Sequence, residues 1–441
     1  MFSRIYEYPE TTVLFLIVAA LLFYVWRKKS DFFSPAPVYI FFQCLTLAIA
    51  YLKLDHAMTP FHAKTWFVWL GAMLSFVSGC LLFEWTSISK GKWFSRELSA
   101  EPLAYHWKLH FVLSCIVLLI YLVGIFGIVK TAGTLILFSG NASYWASRNV
   151  DYGIYAQFFS SAPLVILLFG VSAFKSLNPV RWIRWISLAM LPTISILAVC
   201  AYPSRTTLFM CVGFAVIMFH FLCKRISVVL IAVLLALGIA GFVFVASARS
   251  QYGGNSSVEA MTLDAAMTMP YKYVANNYWN LDYALNSPPD REIHPFTYGI
   301  DFFSGMLEYA RVGGALKRSF GWDGIYNESV QKIPGYNTTG YLWEVYKDFG
   351  LPGCFLVPFL VGLGMSVLYA RMIRKKTPCR VMFYVYFIYF VGFWFFLAGY
   401  KQGIFWAWGV IVWVVSTVCA LPPKGLSEIP EEKRAQNEVS A

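Results

Sequence analysis

Four arginines stand beside long apolar segments or inside the longest polar segment of the chain: Arg148, Arg205, Arg249 and Arg311. A charge close to hydrocarbon costs about 2.5 to 3.5 kcal/mol on insertion scales and is kept for a reason. Guanidinium groups bind phosphate through two parallel hydrogen bonds. Together the four side chains predict a cationic cavity for a phosphorylated or pyrophosphorylated lipid carrier. For any single one, an interfacial arginine that reaches towards lipid phosphate is the alternative.

Carboxylates of the same polar segment are candidates for a general base, because transfer to a sugar hydroxyl needs a proton acceptor within hydrogen-bond reach. The candidates are Asp301, Glu308, Asp323, Glu344 and Asp348. Glu308 comes first, since it lies three residues before Arg311 and a helix would place both on one side. Glu344 and Asp348, one helical turn apart, are the alternatives.

The most specific stretch is 335–353, with the sequence GYNTTGYLWEVYKDFGLPG. Gly350, with the proline and glycine that follow it, predicts a junction between a loop and a membrane helix. Asn337 and Thr338 are expected to cap a short helix that begins near Gly340.

Aromatic and polar side chains around this stretch suit sugar binding, because sugar C–H faces stack on rings while phenol and indole groups meet hydroxyls. The predicted substrate-binding residues are Arg148, Lys317, Arg318, Tyr336, Asn337, Thr338 and Trp343. An interfacial aromatic belt is the competing explanation for Trp343 and Tyr346.

The composition excludes a soluble enzyme. Of the 441 residues, 59% are hydrophobic and 13% are charged, whereas soluble domains carry about 25% charged residues. The net charge of +12 indicates basic cytoplasmic loops rather than a nucleic-acid partner.

The elements that must position these residues are apolar segments of the length that crosses a bilayer, roughly 20 residues. They predict an all-α integral membrane protein with about eleven transmembrane helices, ten to twelve in all. The segments lie near 12–26, 36–52, 65–83, 109–129, 155–174, 185–201, 206–222, 226–246, 351–370, 381–399 and 404–421. The sixth and seventh form either a hairpin or one broken helix, and Pro203 beside Arg205 favours the break.

The distribution of Lys and Arg predicts the orientation. Segments after the odd-numbered spans, the eleventh included, carry 20 of the 35 basic residues, against 7 in the alternate short segments. The first set is therefore expected to be cytoplasmic, with the N-terminus outside and the C-terminus inside. The predicted organisation is spans 1–8 in 1–248, a partly helical outer loop in 249–349, spans 9–11 in 350–421 and a cytoplasmic tail in 422–441. The outer loop holds 11 of the 23 carboxylates and 11 of the 27 tyrosines.

Neither the cysteines nor the histidines predict a metal or a cofactor. The nine cysteines form no CxxC pair, and no two histidines form HExxH.

The stretch 335–353 resembles a pattern of bacterial polysaccharide polymerases of the Wzy type, in which Asn-Thr is followed about ten residues later by acidic-x-Gly-x-x-Gly. Here these are Asn337-Thr338 and Asp348 to Gly353. The layout is similar too, with one dominant outer loop in the C-terminal half and an arginine after Pro-Ser, Arg205. Related O-antigen ligases typically have a histidine before Asn-Thr, where this chain has Tyr336, which favours the polymerase.

The resemblance implies a metal-independent glycosyltransferase related to the C-type superfamily, in the bacterial cytoplasmic (inner) membrane. It would join undecaprenyl-pyrophosphate-linked repeat units into O-antigen, enterobacterial common antigen-like, capsular or exopolysaccharide chains on the outer face. A chain-length regulator and a flippase would be partners, beside membrane lipids. Arg205, Arg249 and Arg311 would hold pyrophosphate, and Arg148 the second carrier.

Two alternatives stay open. A ligase would use the same site with another acceptor. A lipid-linked glycan flippase or transporter would need polar groups along the middle of several spans, and the apolar segments are nearly free of charge.

Overall fold

The computed structural model describes residues 9–28, 31–54, 59–89, 105–139, 142–145, 150–227, 263–286, 297–312 and 338–420, parts of 229–243, and residues 315, 316 and 319. About 80% is helical, and the described residues contain no strand. The all-helical class predicted from the sequence is confirmed for these residues.

Within the described ranges up to residue 227, nine helices precede the long polar segment. They are α1 (Pro9–Lys28), α2 (Pro35–Ala50), α3 (Ala63–Ser89), α4 (Trp107–Ala132), α5 (Ala142–Trp145), α6 (Ile154–Phe159), α7 (Ala162–Ala173), α8 (Arg181–Ala201) and α9 (Arg205–Leu222), with a 3-10 turn at Ile136–Phe138.

Five further helices are described in the C-terminal half. They are α10 (Leu263–Asn286), α11 (Ser304–Tyr309), α12 (Gly340–Arg374), α13 (Pro378–Gly392) and α14 (Gly403–Cys419), with a 3-10 turn at Gly399–Lys401. The segment predicted as an outer loop is therefore partly helical, in α10, α11 and the start of α12.

Among the residues that the structure describes, seven helical stretches are long and apolar enough to cross a membrane, which indicates a multi-pass membrane protein. They are Pro9–Lys28, Ala63–Thr86, Trp107–Phe138, Ile154–Ala173, Arg181–Ala201, Arg205–Leu222 and Gly340–Arg374. Shorter apolar helices coincide with the predicted spans near 36–52, 381–399 and 404–421, and the described parts of 229–238 are helical too. The number of spans and their orientation stay predictions.

Two of the predicted helical regions contain a break. Residues 202–204 leave the helical conformation between α8 and α9, as Pro203 predicts, and both helices pack against α7. The predicted span at 155–174 is divided between α6 and α7, because Ser160 and Ser161 donate to carbonyls of the preceding turn at 2.7 and 2.6 Å.

α3 and α12 pack closely against each other. A Cβ at Gly79 would lie 2.2 Å from the carbonyl oxygen of Phe359, and one at Gly362 would lie 2.2 Å from that of Phe76. Each glycine therefore lets the two backbones touch, as at other small-residue crossings in membranes.

α12 contains a kink at Gly350, whose φ of 64° and ψ of −157° separate 340–349 from 351–374. The sequence predicted a junction between a loop and a helix at this point, whereas the structure has a kink between two helical segments. The expected helix start at Gly340 is confirmed, but its N-cap is Thr339 rather than Asn337 or Thr338. The Thr339 hydroxyl donates to Glu344 Oε1 at 3.4 Å instead of to the helix backbone.

Candidate functional site

Aromatic side chains of α10 form hydrogen bonds near the C-terminal end of α2 and the N-terminal end of α3. The Tyr278 hydroxyl lies 2.7 Å from Thr46 Oγ1 of α2, and the Trp279 indole N–H donates to the Thr59 carbonyl at 3.1 Å. Both rings are buried. The part of the long polar segment that carries α10 is thus packed on the bundle.

Asp282 secures the other side of α10 to the first turn of α3. Its Oδ1 accepts from the His62 backbone N–H at 2.9 Å and from the Thr65 hydroxyl at 2.6 Å. Its Oδ2 lies 3.0 Å from His62 Nδ1. A carboxylate here satisfies donors at a helix N-terminus. Sequence reasoning missed this pair, since 220 residues separate its members.

Arg205 and Thr338, both predicted as site residues, lie along one face of α10. The Arg205 guanidinium carbon is 4.5 Å from the centroid of the Tyr273 ring, within the range of a cation–π contact. The Thr338 carbonyl accepts from the side-chain amides of Asn276, at 3.4 Å, and Asn280, at 2.9 Å. Tyr273 and Asn280 are seven residues apart, about 10 Å along a helix.

Asn276, Asn277 and Asn280 form what we call the asparagine row. With Tyr273 they occupy positions i, i+3, i+4 and i+7 of α10, which share a helix face. All three amides are at most 1% exposed. Sequence reasoning missed the row, although its spacing in a helical segment is a signal that could have been used.

Two carboxylates and two lysines form a closed ring, which we call the lysine–carboxylate cluster. Asp301 Oδ2 lies 3.0 Å from Lys347 Nζ and 2.8 Å from Lys401 Nζ. Glu344 Oε2 lies 2.8 Å from Lys347 Nζ and 2.6 Å from Lys401 Nζ. All four groups are mostly buried. The two lysines were not among the predicted site residues, because only the fold brings 401 to 301 and 344.

The cluster fixes the charge of Asp301. Burial raises the pKa of this carboxyl, but the positive charges of Lys347 and Lys401 and their hydrogen bonds outweigh burial and hold the pKa well below its usual range. Asp301 is therefore ionised at neutral pH.

Asp348 lies beside the cluster and is fully buried. Its Oδ1 accepts from the Thr297 hydroxyl and, at 3.2 Å, from the Asp301 backbone N–H. Within the described part of the chain, nothing donates to its Oδ2. The Thr297 and Tyr298 backbone N–H groups donate to the carbonyls of Lys347 and Asp348, just before the kink at Gly350.

The segment 297–312 is held against the start of α14, which positions Lys401. The Phe302 and Tyr400 rings stack with centroids 4.0 Å apart. A Cβ at Gly305 would lie 2.5 Å from the Gly403 backbone nitrogen. Backbone contact of this kind requires glycine, so Gly305 sets how closely α11 approaches Lys401.

Trp343 and Tyr346 present a stacked, half-buried pair of rings on the first turns of α12, with centroids 6.0 Å apart. Lys347 Nζ is 6.0 Å from the Trp343 ring centroid. Lys64 Nζ of α3 donates to the Tyr346 hydroxyl at 3.2 Å. The predicted sugar-stacking residue Trp343 thus borders the lysine–carboxylate cluster.

Glu308 and Arg311 are exposed near the end of α11. The helix ends at Tyr309, and Arg311 has a left-handed backbone with φ of 56°. Glu308 and Arg311 would share a helix face only if one helix included both, and α11 ends before Arg311. Arg148, Arg249, Lys317, Arg318, Asp323, Tyr336 and Asn337 lie outside the described residues.

Within the described ranges, no three His, Cys, Asp or Glu side chains are grouped closely enough to hold a metal ion. Comparison of the chain with protein-family models, with curated proteins and with solved structures gives no match.

The arrangement combines three chemical capabilities along one face of α10 and the adjoining start of α12. Arg205 supplies a cation for phosphate, the asparagine row and Trp343 supply groups that suit sugars, and Glu344 supplies a carboxylate. Thr338 and Thr339 connect the row to Glu344 through the contacts given above.

Proposed function

We propose that the protein is a glycosyltransferase that joins undecaprenyl-pyrophosphate-linked oligosaccharide repeat units into a polysaccharide on the outer face of the bacterial cytoplasmic membrane. The observation that carries this proposal is the alignment of Arg205, the Thr338 carbonyl and Glu344 along α10 and the start of α12. The resemblance of 335–353 to the Wzy-type pattern supports it from the sequence.

The position of these groups suits an amphiphilic substrate. Arg205 begins an apolar helix, α9, and Glu344 precedes the apolar part of α12. A lipid carrier would lie among apolar helices while its pyrophosphate and sugars meet the polar groups at the helix ends. A two-sided carrier would instead need polar groups along the spans.

The reaction transfers the growing glycan from its carrier to a hydroxyl of the incoming unit. The acceptor oxygen bonds to the anomeric carbon as the bond from that carbon to the pyrophosphate oxygen breaks. The electron pair leaves with the pyrophosphate, whose charge Arg205 stabilises. The acceptor proton goes to a carboxylate.

Glu344 is the carboxylate that we favour as the proton acceptor. The Thr339 hydroxyl donates to Glu344, and the carbonyl of the preceding residue, Thr338, accepts from Asn280 of the asparagine row. Glu308, the first candidate from the sequence, is exposed on α11, and Asp348 is fully buried. The positive charges of Lys347 and Lys401 keep the Glu344 carboxylate ionised before the reaction.

The test is a glycan ladder made by the purified protein from a synthetic lipid-pyrophosphate repeat unit, with chelator and without nucleotide sugar. Multiples of the repeat support the polymerase. Product only after addition of lipid A core indicates a ligase, and no product with either acceptor contradicts a glycosyltransferase.

Variants assign the roles. We expect Arg205→Ala to abolish the ladder and Arg205→Lys to restore little, because an ammonium cannot form two parallel bonds to phosphate. Glu344→Gln should slow the reaction about 100- to 10,000-fold, and Glu308→Gln much less. Wild-type ladders from Arg205→Ala would remove the pyrophosphate role.

A further inference from the structure

The asparagine row contains a buried amide oxygen that no described residue satisfies. Asn277 is 1% exposed, and its Oδ1 accepts no hydrogen bond within the described part of the chain. Its Nδ2 donates back to the Tyr273 carbonyl at 2.6 Å. The amide orientation follows from this bond, since the flipped amide would place two acceptor oxygens together. Oδ1 therefore points away from the carbonyl of the preceding turn.

Such an atom requires an explanation, because a buried amide oxygen without a donor costs free energy that folding must recover elsewhere. Packing does not supply one. Leucine has the same branched arrangement of four side-chain heavy atoms as asparagine and carries no polar penalty. A hydroxyl group of a bound ligand would explain the oxygen, because it could donate a hydrogen bond to it.

The neighbours of Asn277 indicate which ligand this is. One turn earlier, Tyr273 lies under the Arg205 guanidinium. One turn later, Asn280 holds the Thr338 carbonyl, which leads to Thr339 and Glu344. The row therefore lies between the group proposed to hold pyrophosphate and the group proposed to accept the proton. In the lipid-linked substrate, the sugar attached to the pyrophosphate occupies the corresponding place.

We infer that Asn277 of the asparagine row binds a hydroxyl group of the sugar nearest the pyrophosphate, with its Oδ1 as the acceptor. This assignment rests on the proposed function and adds a sugar-binding residue to it. Asparagine amides suit this task, since each offers two donors and an acceptor.

The experiment measures binding of two probes to the purified protein in detergent. One is a prenyl pyrophosphate, and the other is the same prenyl pyrophosphate carrying the oligosaccharide. The variants are Asn277→Leu, Arg205→Ala and, as a control, Asn178→Leu. Asn178 is a buried asparagine outside the site whose Nδ2 donates to Ser172 and whose Oδ1 accepts from Val180, both at 2.9 Å.

We expect Asn277→Leu to lower the affinity for the sugar-bearing probe about 5- to 10-fold, which corresponds to the loss of one hydrogen bond. The affinity for prenyl pyrophosphate should stay unchanged. Its melting temperature should equal or exceed that of the wild type. Arg205→Ala should weaken both probes. Asn178→Leu should lower the melting temperature without changing either affinity, because it leaves two partners unsatisfied.

Three results would contradict the assignment. Unchanged affinity of Asn277→Leu for the sugar-bearing probe would exclude a sugar contact, and a lowered melting temperature alone would identify a structural asparagine. Equal weakening of both probes would place Asn277 at the pyrophosphate. Failure of the wild type to bind either probe would instead contradict the proposed function, so the two failures are distinguishable.

Discussion

A buried carboxylate lies beside each end of α12, and the two differ in their hydrogen bonds. At the C-terminal end lies Asp31, which contacts Tyr369, and at the N-terminal end lies Asp348. Twenty-one residues separate Tyr369 from Asp348, roughly 30 Å of helix and about the thickness of the hydrocarbon core. The two groups therefore belong to opposite ends of the bundle.

Asp31 is fully bonded. Its Oδ1 accepts from the Phe33 N–H at 2.9 Å and from His220 Nε2 at 2.8 Å, and its Oδ2 accepts from the Tyr369 hydroxyl at 2.8 Å. His220 Nδ1 accepts from the Ile226 N–H, so Nε2 carries the proton. Burial raises the pKa of Asp31, but these partners outweigh burial and lower it.

Asp348 is buried too. Only its Oδ1 is bonded by described residues, while Oδ2 is not. The lysine–carboxylate cluster beside it carries four charges, and the asparagine row contains the similar Asn277 Oδ1. One end of the bundle thus uses its polar groups to join the turn before α2 to α9 and α12, whereas at the other end two buried oxygens accept no hydrogen bond from described residues.

The largest effect that the comparison predicts is at Asp31. Asp31→Asn should lower the free energy of unfolding by about 3 kcal/mol, because it removes a charge that accepts three buried hydrogen bonds. Chemical unfolding in detergent micelles measures this loss. Ladder synthesis per folded molecule should stay at the wild-type level, and a large loss of turnover in folded protein would contradict the division between the two ends.

The scaffold between the ends can be tested at the α3–α12 crossing. Gly362→Ala should cost about 2 kcal/mol, because the methyl group would enter the space of the Phe76 carbonyl. Gly364→Ala is the matched control, since nothing lies within 4 Å of its Cβ position, and it should change stability by less than about 1 kcal/mol. Equal melting temperatures for the two variants would show that the crossing relaxes.

Sequence reasoning predicted the scaffold better than the site. Apolar runs and prolines are local signals, so the helices around Pro203 and the start at Gly340 were predicted within a few residues. The lysine–carboxylate cluster depends on 301, 344 and 401 meeting in space, and no local pattern encodes that meeting. Arg205 was predicted as a site residue because an arginine beside hydrocarbon is unusual in itself.

The same reasoning chose Glu308 from its spacing to Arg311, and the expected shared helix face is not formed, because the spacing has meaning only inside a helix. α11 ends at Tyr309, before the second residue of the pair. Asn277 was not predicted as a site residue. An asparagine in a sequence is ordinary, and only its burial with an unsatisfied oxygen distinguishes it.

The pH dependence of stability sharpens the comparison at the N-terminal end of α12. The folded pKa of Asp301 lies below its ordinary value of 3.8, so its stabilisation is complete above that pH and is lost as the pH falls through the folded pKa. Between pH 5 and pH 2 this component should shrink by roughly 1 to 2 kcal/mol. Unfolding of wild type and Asp301→Asn at several pH values measures it, and their difference should narrow as the pH falls.

The smallest expected effect on stability is at Asp348, and it completes the comparison with Asp31. Asp348→Asn keeps an Oδ1 that accepts from Thr297 and from the Asp301 N–H, and its Nδ2 replaces an oxygen that no described residue bonds. The free energy of unfolding should therefore change by less than about 1 kcal/mol. The same unfolding assay applied to Asp31→Asn and Asp348→Asn compares one substitution at both ends. Equal losses would mean that Asp348 is as fully bonded as Asp31, and the N-terminal end of α12 would then hold no free capacity at this carboxylate.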